Sequence, residues 1–375
     1  MSKKANWIQT ILFLAFIAAF FILNIALPDK DFSQQENRSL QTAPKFTFSD
    51  LFSGKFTVAY EDYVTDQFAF RDKWTALKAR SELALGKDAN NGVFLCENEV
   101  LLEGFTSPDM DALDSSLSSV QRLAENAMSL GAEFYFALIP SGSEIWRDKL
   151  PQGAPNAGQK EIIEYAYSKV DGFSIDMYSA LSEHAQEDIF YRTDHHWTTL
   201  GAYYGYSAIM EAMEMEAVPL DNYQKTEVSD QFLGTTFSSS GFSWVQPESI
   251  NTYVDQGDVR IVNYPAGAPV ESSLYVASYL DVKDKYSYFY GGNTPLLTID
   301  TGKDDAPSLL ILRDSYMDSM SPYFFEHFSQ IHIFDLRYNK MSLKAYIEEN
   351  SIDKVLVCYS VPNFVTDMNI FLAGR

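Results

Sequence analysis

Hydrophobic residues follow one another along this chain in two rhythms. From Trp7 to Leu27 they are almost unbroken, WIQTILFLAFIAAFFILNIAL, with Gln9, Thr10 and Asn24 as the polar interruptions. About 20 apolar residues in a helix cross the hydrocarbon core of a bilayer. Lys3 and Lys4 precede the run, and Pro28, Asp29 and Asp31 follow it. That asymmetry puts the short N-terminus in the cytoplasm and the remainder outside. A cleaved signal peptide is the rival reading, but its apolar region is shorter and ends at a small-residue site. Here the run is long and no A-x-A site follows Leu27. The expectation is an uncleaved single-pass anchor in the cell membrane, through residues 7–27, with the C-terminal domain extracytoplasmic.

The second rhythm begins beyond a polar stalk. Phe56 to Tyr63 and Arg71 to Leu85 read as helices, the second ending at Gly86. Val93 to Cys96 and Val100 to Glu103 read as two short strands. From Asp109 onward, helices and strands alternate. Asp111 to Leu130 carries Leu113, Leu117, Val120, Leu123, Ala127 and Leu130 at helical spacing and stops at Gly131. Phe134 to Ile139 is a continuous apolar run closed by Pro140, the mark of a parallel strand covered on both faces. Further helices are expected at Lys160 to Val170, Thr199 to Met213 and Leu343 to Asn350. Further strands are expected at Asp188 to Tyr191, Leu309 to Leu312, Ile331 to Phe334 and Val355 to Tyr359. Such alternation predicts an α/β fold, a parallel sheet with helices on both faces. Tyr223 to Pro307 breaks the rhythm and reads as a β-rich insertion, with strand-like pieces at Ser273 to Ser278 and Tyr286 to Tyr290. The expected organisation is a tip and anchor over residues 1–28, a stalk and cap over 29–108, and the α/β domain over 109–375 with its insertion at about 223–307.

Charge narrows the partners. The chain has 28 Lys+Arg against 51 Asp+Glu, a net −23, which argues against nucleic acid because phosphate needs a basic footprint. Cys96 and Cys358 are the two cysteines, too few for a disulfide framework or a Cys-rich zinc site, although one bridge between them stays open.

Candidate chemistry falls at two places. Ligands of open parallel sheets bind outside the carboxyl ends of strands. Tyr191-Arg192-Thr193-Asp194-His195-His196-Trp197-Thr198 follows one expected strand, and Arg313-Asp314-Ser315-Tyr316 follows another. A serine at a strand-to-helix junction holds its hydroxyl exposed, and it needs a neighbouring base oriented by a carboxylate. The first segment supplies both. The rival readings are a structural hydrogen-bond knot, a metal site built on Asp194, His195 and His196, and an ordinary helix cap at Asp314-Ser315.

Several stretches resemble one bacterial family. DHHWTTLGAYYGY (Asp194 to Tyr206) contains the four letters that name the DHHW protein family, and the match extends to LILRDSY (Leu310 to Tyr316), HIFDLRY ending at Tyr338 and DQFAFRDKW (Asp66 to Trp74). That family looks like a relative of alginate O-acetyltransferase proteins with an SGNH-hydrolase-like domain. Carried over, its D-x-H-W pattern implies Asp194 as orienting carboxylate and His196 as general base, and its Asp-Ser pattern implies Ser315 as nucleophile. His195 falls at the variable position, and Arg313 stands where relatives often have Gly. Asn293, in Gly291-Gly292-Asn293, is a candidate oxyanion donor or simply a turn residue. Tyr191, Arg192, Arg313, Tyr316, Arg337 and His195 are candidates for substrate contact, and Ser141 and Gly142 for the same cleft.

The resemblance implies an extracytoplasmic, membrane-anchored O-acetyltransferase or esterase acting on a cell-surface glycan, without a cofactor or a resident metal. It also implies a multi-pass membrane O-acyltransferase as a partner that supplies the acyl group. The alternative is a catalytically inactive protein of the same fold that binds glycan or assists envelope assembly.

Overall fold

The computed structural model describes residues 3–265 and 268–375, which divide into two compact units.

The first unit comprises residues up to 91 together with 238–244. Helix α1 (Lys3–Ala26) exposes nearly all of its apolar side chains, and it is long and apolar enough to cross a membrane. Three shorter helices follow: α2 (Phe48–Phe52), α3 (Lys55–Asp66) and α4 (Arg71–Ala84). Charged side chains pin the turns between them. Asp66 accepts two bonds from the Arg38 guanidinium and one from the Gln41 N–H, which holds its carboxyl at about 2, below the usual range. Residues 238–244 join this unit through Asn90, whose amide donates to the Ser240 carbonyl, and Arg80, whose guanidinium lies 4.2 Å over the Trp244 ring.

The second unit holds the main sheet. Its strands in chain order are β1 (Glu133–Ile139), β2 (Phe173–Ile175), β5 (Arg260–Asn263), β6 (Val270–Ser272), β7 (Leu296–Asp300), β8 (Leu309–Arg313), β9 (Gln330–Phe334) and β10 (Lys354–Ser360). A separate antiparallel pair is β3 (Thr226–Phe232) with β4 (Glu248–Thr252). The spatial order in the main sheet is β6-β5-β7-β9-β8-β10-β1-β2. Strands β9, β8, β10, β1 and β2 are parallel, whereas β7, β5 and β6 add on antiparallel. The fold is mixed α/β with a mostly parallel sheet.

Alternation along each central strand builds two cores. Leu309 and Ile311, with Leu356 and Cys358, face one layer, while Leu310 and Leu312, with Val355 and Val357, face the other. Helices α7 (Met177–Ser182) and α8 (Thr199–Ala212) cover the first face. Helices α5 (Met110–Ser129), α6 (Gln159–Tyr167) and α9 (Leu343–Asn350) cover the second. The Asp109 side chain caps α5 by accepting the Asp111 and Ala112 N–H groups, and Gly131 ends the turn beyond it with φ +91°.

Several expectations need correction. Asp188 to Tyr191 is not a strand; only a single antiparallel bridge joins Phe190 to Trp197. Within Tyr223 to Pro307, β3 pairs with β4, and β5, β6 and β7 extend the main sheet. Within that stretch the two pieces expected as strands meet in a single antiparallel bridge, Tyr275 to Phe289, and the chain around it forms short helical turns, Ala277–Asp281 and Lys285–Tyr288. Aromatic crowding there (Tyr275, Tyr286, Tyr288, Phe289) mimics strand composition. Cys96 and Cys358 are both free.

Candidate active site

The second unit's sheet delivers a serine. Strand β8 ends at Arg313, and the chain turns sharply through Asp314 before the short helix Met317–Met320. Asp314 makes the turn rigid. One carboxylate oxygen accepts the Tyr316 N–H at 3.1 Å; the other accepts the Ser360 N–H, the Ser360 hydroxyl and the Asn363 amide at 2.9, 2.7 and 2.7 Å. Asp314 thus ties the end of β8 to the end of β10, and the helix cap expected of it is absent. Ser315 stays half-exposed beyond this knot.

The imidazole arrives from a loop, not from a strand end. Residues 191–196 fold back on themselves, closed by Tyr191 N–H to the His196 carbonyl (3.1 Å) and Thr198 N–H to the Ile189 carbonyl (2.9 Å). Buried Trp197 anchors the loop, donating from its indole to the Tyr316 carbonyl at 2.9 Å and to the Ser319 hydroxyl at 3.1 Å. His196 Nε2 then lies 2.7 Å from Ser315 Oγ, and His196 Nδ1 lies 2.5 Å from Asp194 Oδ1. A carboxylate only accepts, so Nδ1 carries the proton and neutral Nε2 is the acceptor for the serine hydroxyl.

Asp194 is fully engaged. Its Oδ1 also accepts the His196 N–H at 2.9 Å, and its Oδ2 accepts the Thr235 N–H at 2.7 Å and the Thr235 hydroxyl at 3.0 Å. Burial alone would raise this carboxyl, but both histidines and these donors outweigh it and hold it well below the usual carboxylate range. His196 is pushed below an ordinary histidine, mainly by burial and then by neighbouring His195, with Asp194 opposing. Tyr286 stacks on the His196 ring at 3.8 Å and 7°, and His195 lies tilted at 3.9 Å.

The other sequence candidates are distributed as follows. His195 is half-exposed, with Nδ1 2.6 Å from the Thr235 hydroxyl. The Tyr316 hydroxyl donates to the His195 carbonyl, so Tyr316 braces the loop from within the core. Arg192 is half-buried and reaches the Asn98 and Pro247 carbonyls. Tyr191 is buried against Phe232 and Tyr286.

Arg313 is fully buried, not at the surface. It donates to Asn293 Oδ1 at 3.0 Å and to Asp318 Oδ2 at 3.3 Å, and its closest ion-pair distances are 2.9 Å to Asp318 and 3.9 Å to Asp335. Burial raises the Asp318 carboxyl to about 7, against the pull of Arg313. Asn293 therefore turns its carbonyl to Arg313 and Arg337, and Arg337 is held bidentate by Asp335. This charge cluster packs behind the serine turn. Ser141 is engaged by Gln159 and Ser143.

Sequence reasoning missed Gly234, Thr235, Glu248 and Tyr286. Glu248 accepts from the Arg192 N–H and from both the N–H and the hydroxyl of Thr193, fixing the loop immediately before Asp194. Lys283 braces the facing segment by donating to the Leu233 carbonyl and lying 4.5 Å over Phe237, and burial brings its ammonium down to about 8. No local pattern marks these residues, since each acts across a large sequence separation. As for metal, Asp194, His195 and His196 have donor atoms within 4.8 Å of one another. Holding an ion there requires His196 to give up Ser315 or Asp194, because both its ring nitrogens are already bonded.

Fold and site together define a mixed α/β protein with a serine hydroxyl, an imidazole and a carboxylate in hydrogen-bonded series at the carboxyl end of a central parallel strand. The chain belongs to the DHHW protein family, whose model matches residues 114–334. Among curated proteins it is similar to the probable alginate O-acetylase AlgJ of Pseudomonas syringae pv. tomato, 24% identical over 178 residues, covering 44% of this chain and 45% of that protein. The AlgJ of Pseudomonas putida is 21% identical over 187 residues, covering 48% and 49%. The chain spans about half the length of the curated relatives it matches. Among solved structures, a DHHW family protein from Eubacterium siraeum superposes with a TM-score of 0.68 at 24% identity, covering 76% of this chain and 96% of that one. Bacillus cereus PatB1, solved with a sulfonyl adduct, gives 0.62 at 22%, covering 74% and 97%.

Proposed function

We propose that this protein is a serine-dependent O-acyltransferase or esterase of SGNH-hydrolase-like type, acting on a polysaccharide outside the membrane. The observation that carries the reading is the series Ser315–His196–Asp194, at 2.7 and 2.5 Å. Ser315 Oγ attacks an acyl carbonyl while His196 Nε2 takes its proton, and Asp194 stabilises the imidazolium that forms. The developing oxyanion faces the Ser315 N–H, which has no hydrogen-bond partner among the described residues. His196 then gives its proton to the leaving alcohol. In the second half-reaction it takes the proton of an acceptor hydroxyl, whose oxygen attacks the acyl-serine carbonyl, and the proton returns to Ser315.

The curated relatives, named as alginate O-acetylases, support a sugar hydroxyl as acceptor and acetyl as the group transferred. The anchor reading of α1 supports an extracytoplasmic site, with Lys3 and Lys4 on the cytoplasmic side. A multi-pass membrane O-acyltransferase is the donor that such a topology calls for.

Incubation with p-nitrophenyl acetate tests the chemistry. Ser315 is expected to carry one acetyl group, located by mass spectrometry, and Ser315→Ala is expected to release nitrophenol at the buffer rate. An unmodified Ser315, or full activity in Ser315→Ala, would show that the protein does not work this way and would favour a glycan-binding role.

A further inference from the structure

The charge of the chain is segregated. Residues 1–28 carry Lys3 and Lys4 and no acid. Residues 29–91 carry nine basic and ten acidic side chains, a net −1, whereas residues 92–375 carry 17 against 41, a net −24. Exposed large hydrophobic side chains are segregated in the opposite sense. Among the described residues, eleven lie within 29–91 and only ten in the far longer remainder. A water-facing module is expected to scatter such residues singly, so this concentration calls for a partner surface.

Contacts within the first unit indicate which surface. Phe46 packs edge-on against Phe48 and Phe56 at 5.3 and 5.2 Å, and Phe56 stacks on Tyr60 at 5.8 Å. Tyr60 meets Tyr63, whose hydroxyl donates to Asp29, just past the end of α1. From the other side, Phe20 of α1 stacks on Phe68 at 5.5 Å and 2° and meets Trp74 at 5.6 Å. Asn24 in α1 accepts the Ala69 N–H. At about 1.5 Å per residue, Phe20 lies roughly 10 Å from the end of the apolar run at Leu27. Rings that stack on Phe20 are thereby drawn to the depth at which amphipathic segments settle, about 5–10 Å into the headgroup and acyl boundary. Trp and Tyr favour that depth.

We propose that residues 29–91 form an interfacial platform that lies in the outer face of the lipid bilayer, with Phe46, Phe48, Leu51, Phe52 and Val58 of the α2–α3 region seated among the lipids. The platform rests on the reading of α1 as a span. Its near-neutral charge permits close approach to anionic headgroups, which repel the strongly acidic remainder. The aromatic face thus continues the apolar surface of α1 outward along the membrane plane.

The test uses the full chain reconstituted in vesicles of phosphatidylcholine and phosphatidylglycerol. A nitroxide is attached at Phe52→Cys in a Cys96→Ser background, with a second label position at Val58→Cys, and a control at Phe173→Cys on the second unit. Relaxation by oxygen, which concentrates in lipid, is compared with relaxation by a water-soluble nickel chelate. The labels at 52 and 58 are expected to favour oxygen strongly, and the label at 173 to favour nickel. Nickel access at 52 and 58 equal to that at 173 overturns the proposal. Shielding from both reagents also overturns it, because it indicates a second copy or another protein on that face. Carbonate extraction separates the underlying reading: a chain that washes off the vesicles has no span, whereas one that stays while residue 52 faces water refutes the platform alone.

Discussion

His196 and His195 are neighbours in sequence and in space, yet their surroundings give them different tasks. His196 is buried between Asp194 and Ser315, while His195 keeps partial solvent access and reaches the Thr235 hydroxyl that also serves Asp194. The two imidazoles therefore draw on one carboxylate. Because burial and His195 both disfavour the protonated form of His196, the base should remain neutral into mildly acidic solution. The acid limb of kcat/KM for p-nitrophenyl acetate is expected below the value of an ordinary histidine. His195→Asn keeps a donor toward Thr235 but removes a titratable neighbour, so the limb should move to higher pH. An unchanged limb in that variant would refute the coupling. None of this is legible from the letters DHHW, which place two histidines side by side without saying which one is buried.

At the scale of elements, the site depends on a close approach between the 191–198 loop and the segment after β3. Gly234 marks the contact. A Cβ there would stand 2.2 Å from Asp194 Oδ2 and 2.3 Å from Asp194 Cβ, with backbone and carboxylate both held by hydrogen bonds. Gly234→Ala is expected to leave the circular dichroism spectrum intact while displacing Asp194, lowering esterase activity by about a hundredfold, since a shift near 1 Å has that effect in preorganised sites. Activity within a factor of two of the native protein would mean that the loop yields without disturbing the carboxylate. The central parallel strands and their helices were legible because a strand buried on both faces is apolar throughout and its neighbouring helix is amphipathic. Asp188 to Tyr191 misled because three buried side chains, Ile189, Phe190 and Tyr191, serve a loop that packs inward. The antiparallel edge β5–β6–β7 was hard to read because its short strands combine buried, half-buried and exposed positions with mixed polarity.

For the whole molecule, burial of ionisable groups links stability to pH. His332 sits inside the second core against Tyr346, and burial lowers its pKa to about 4. Below about pH 6.5 the unfolded chain binds a proton there that the folded chain refuses until about pH 4. Stability is thus full above that window and declines as pH falls through it, by up to about 3 kcal/mol. Urea midpoints at pH 7 and pH 4.5 should converge in His332→Asn relative to the native protein; an identical gap in both would assign the acid sensitivity elsewhere. Read alone, the sequence determined the apolar N-terminal helix, the central α/β layers and the family resemblance. Each of these depends on periodicity or on short contiguous motifs, and such local order survives in a linear string. Only the tertiary structure decided that Arg313 is an internal counterion, that Tyr286 and Thr235 flank the imidazole and its carboxylate, and that Gly234 makes room for Asp194. Arg313 meets its partners 5 to 22 positions away and the other relations join residues 40 to 90 positions apart, and chain folding, rather than spacing, sets the distances between them.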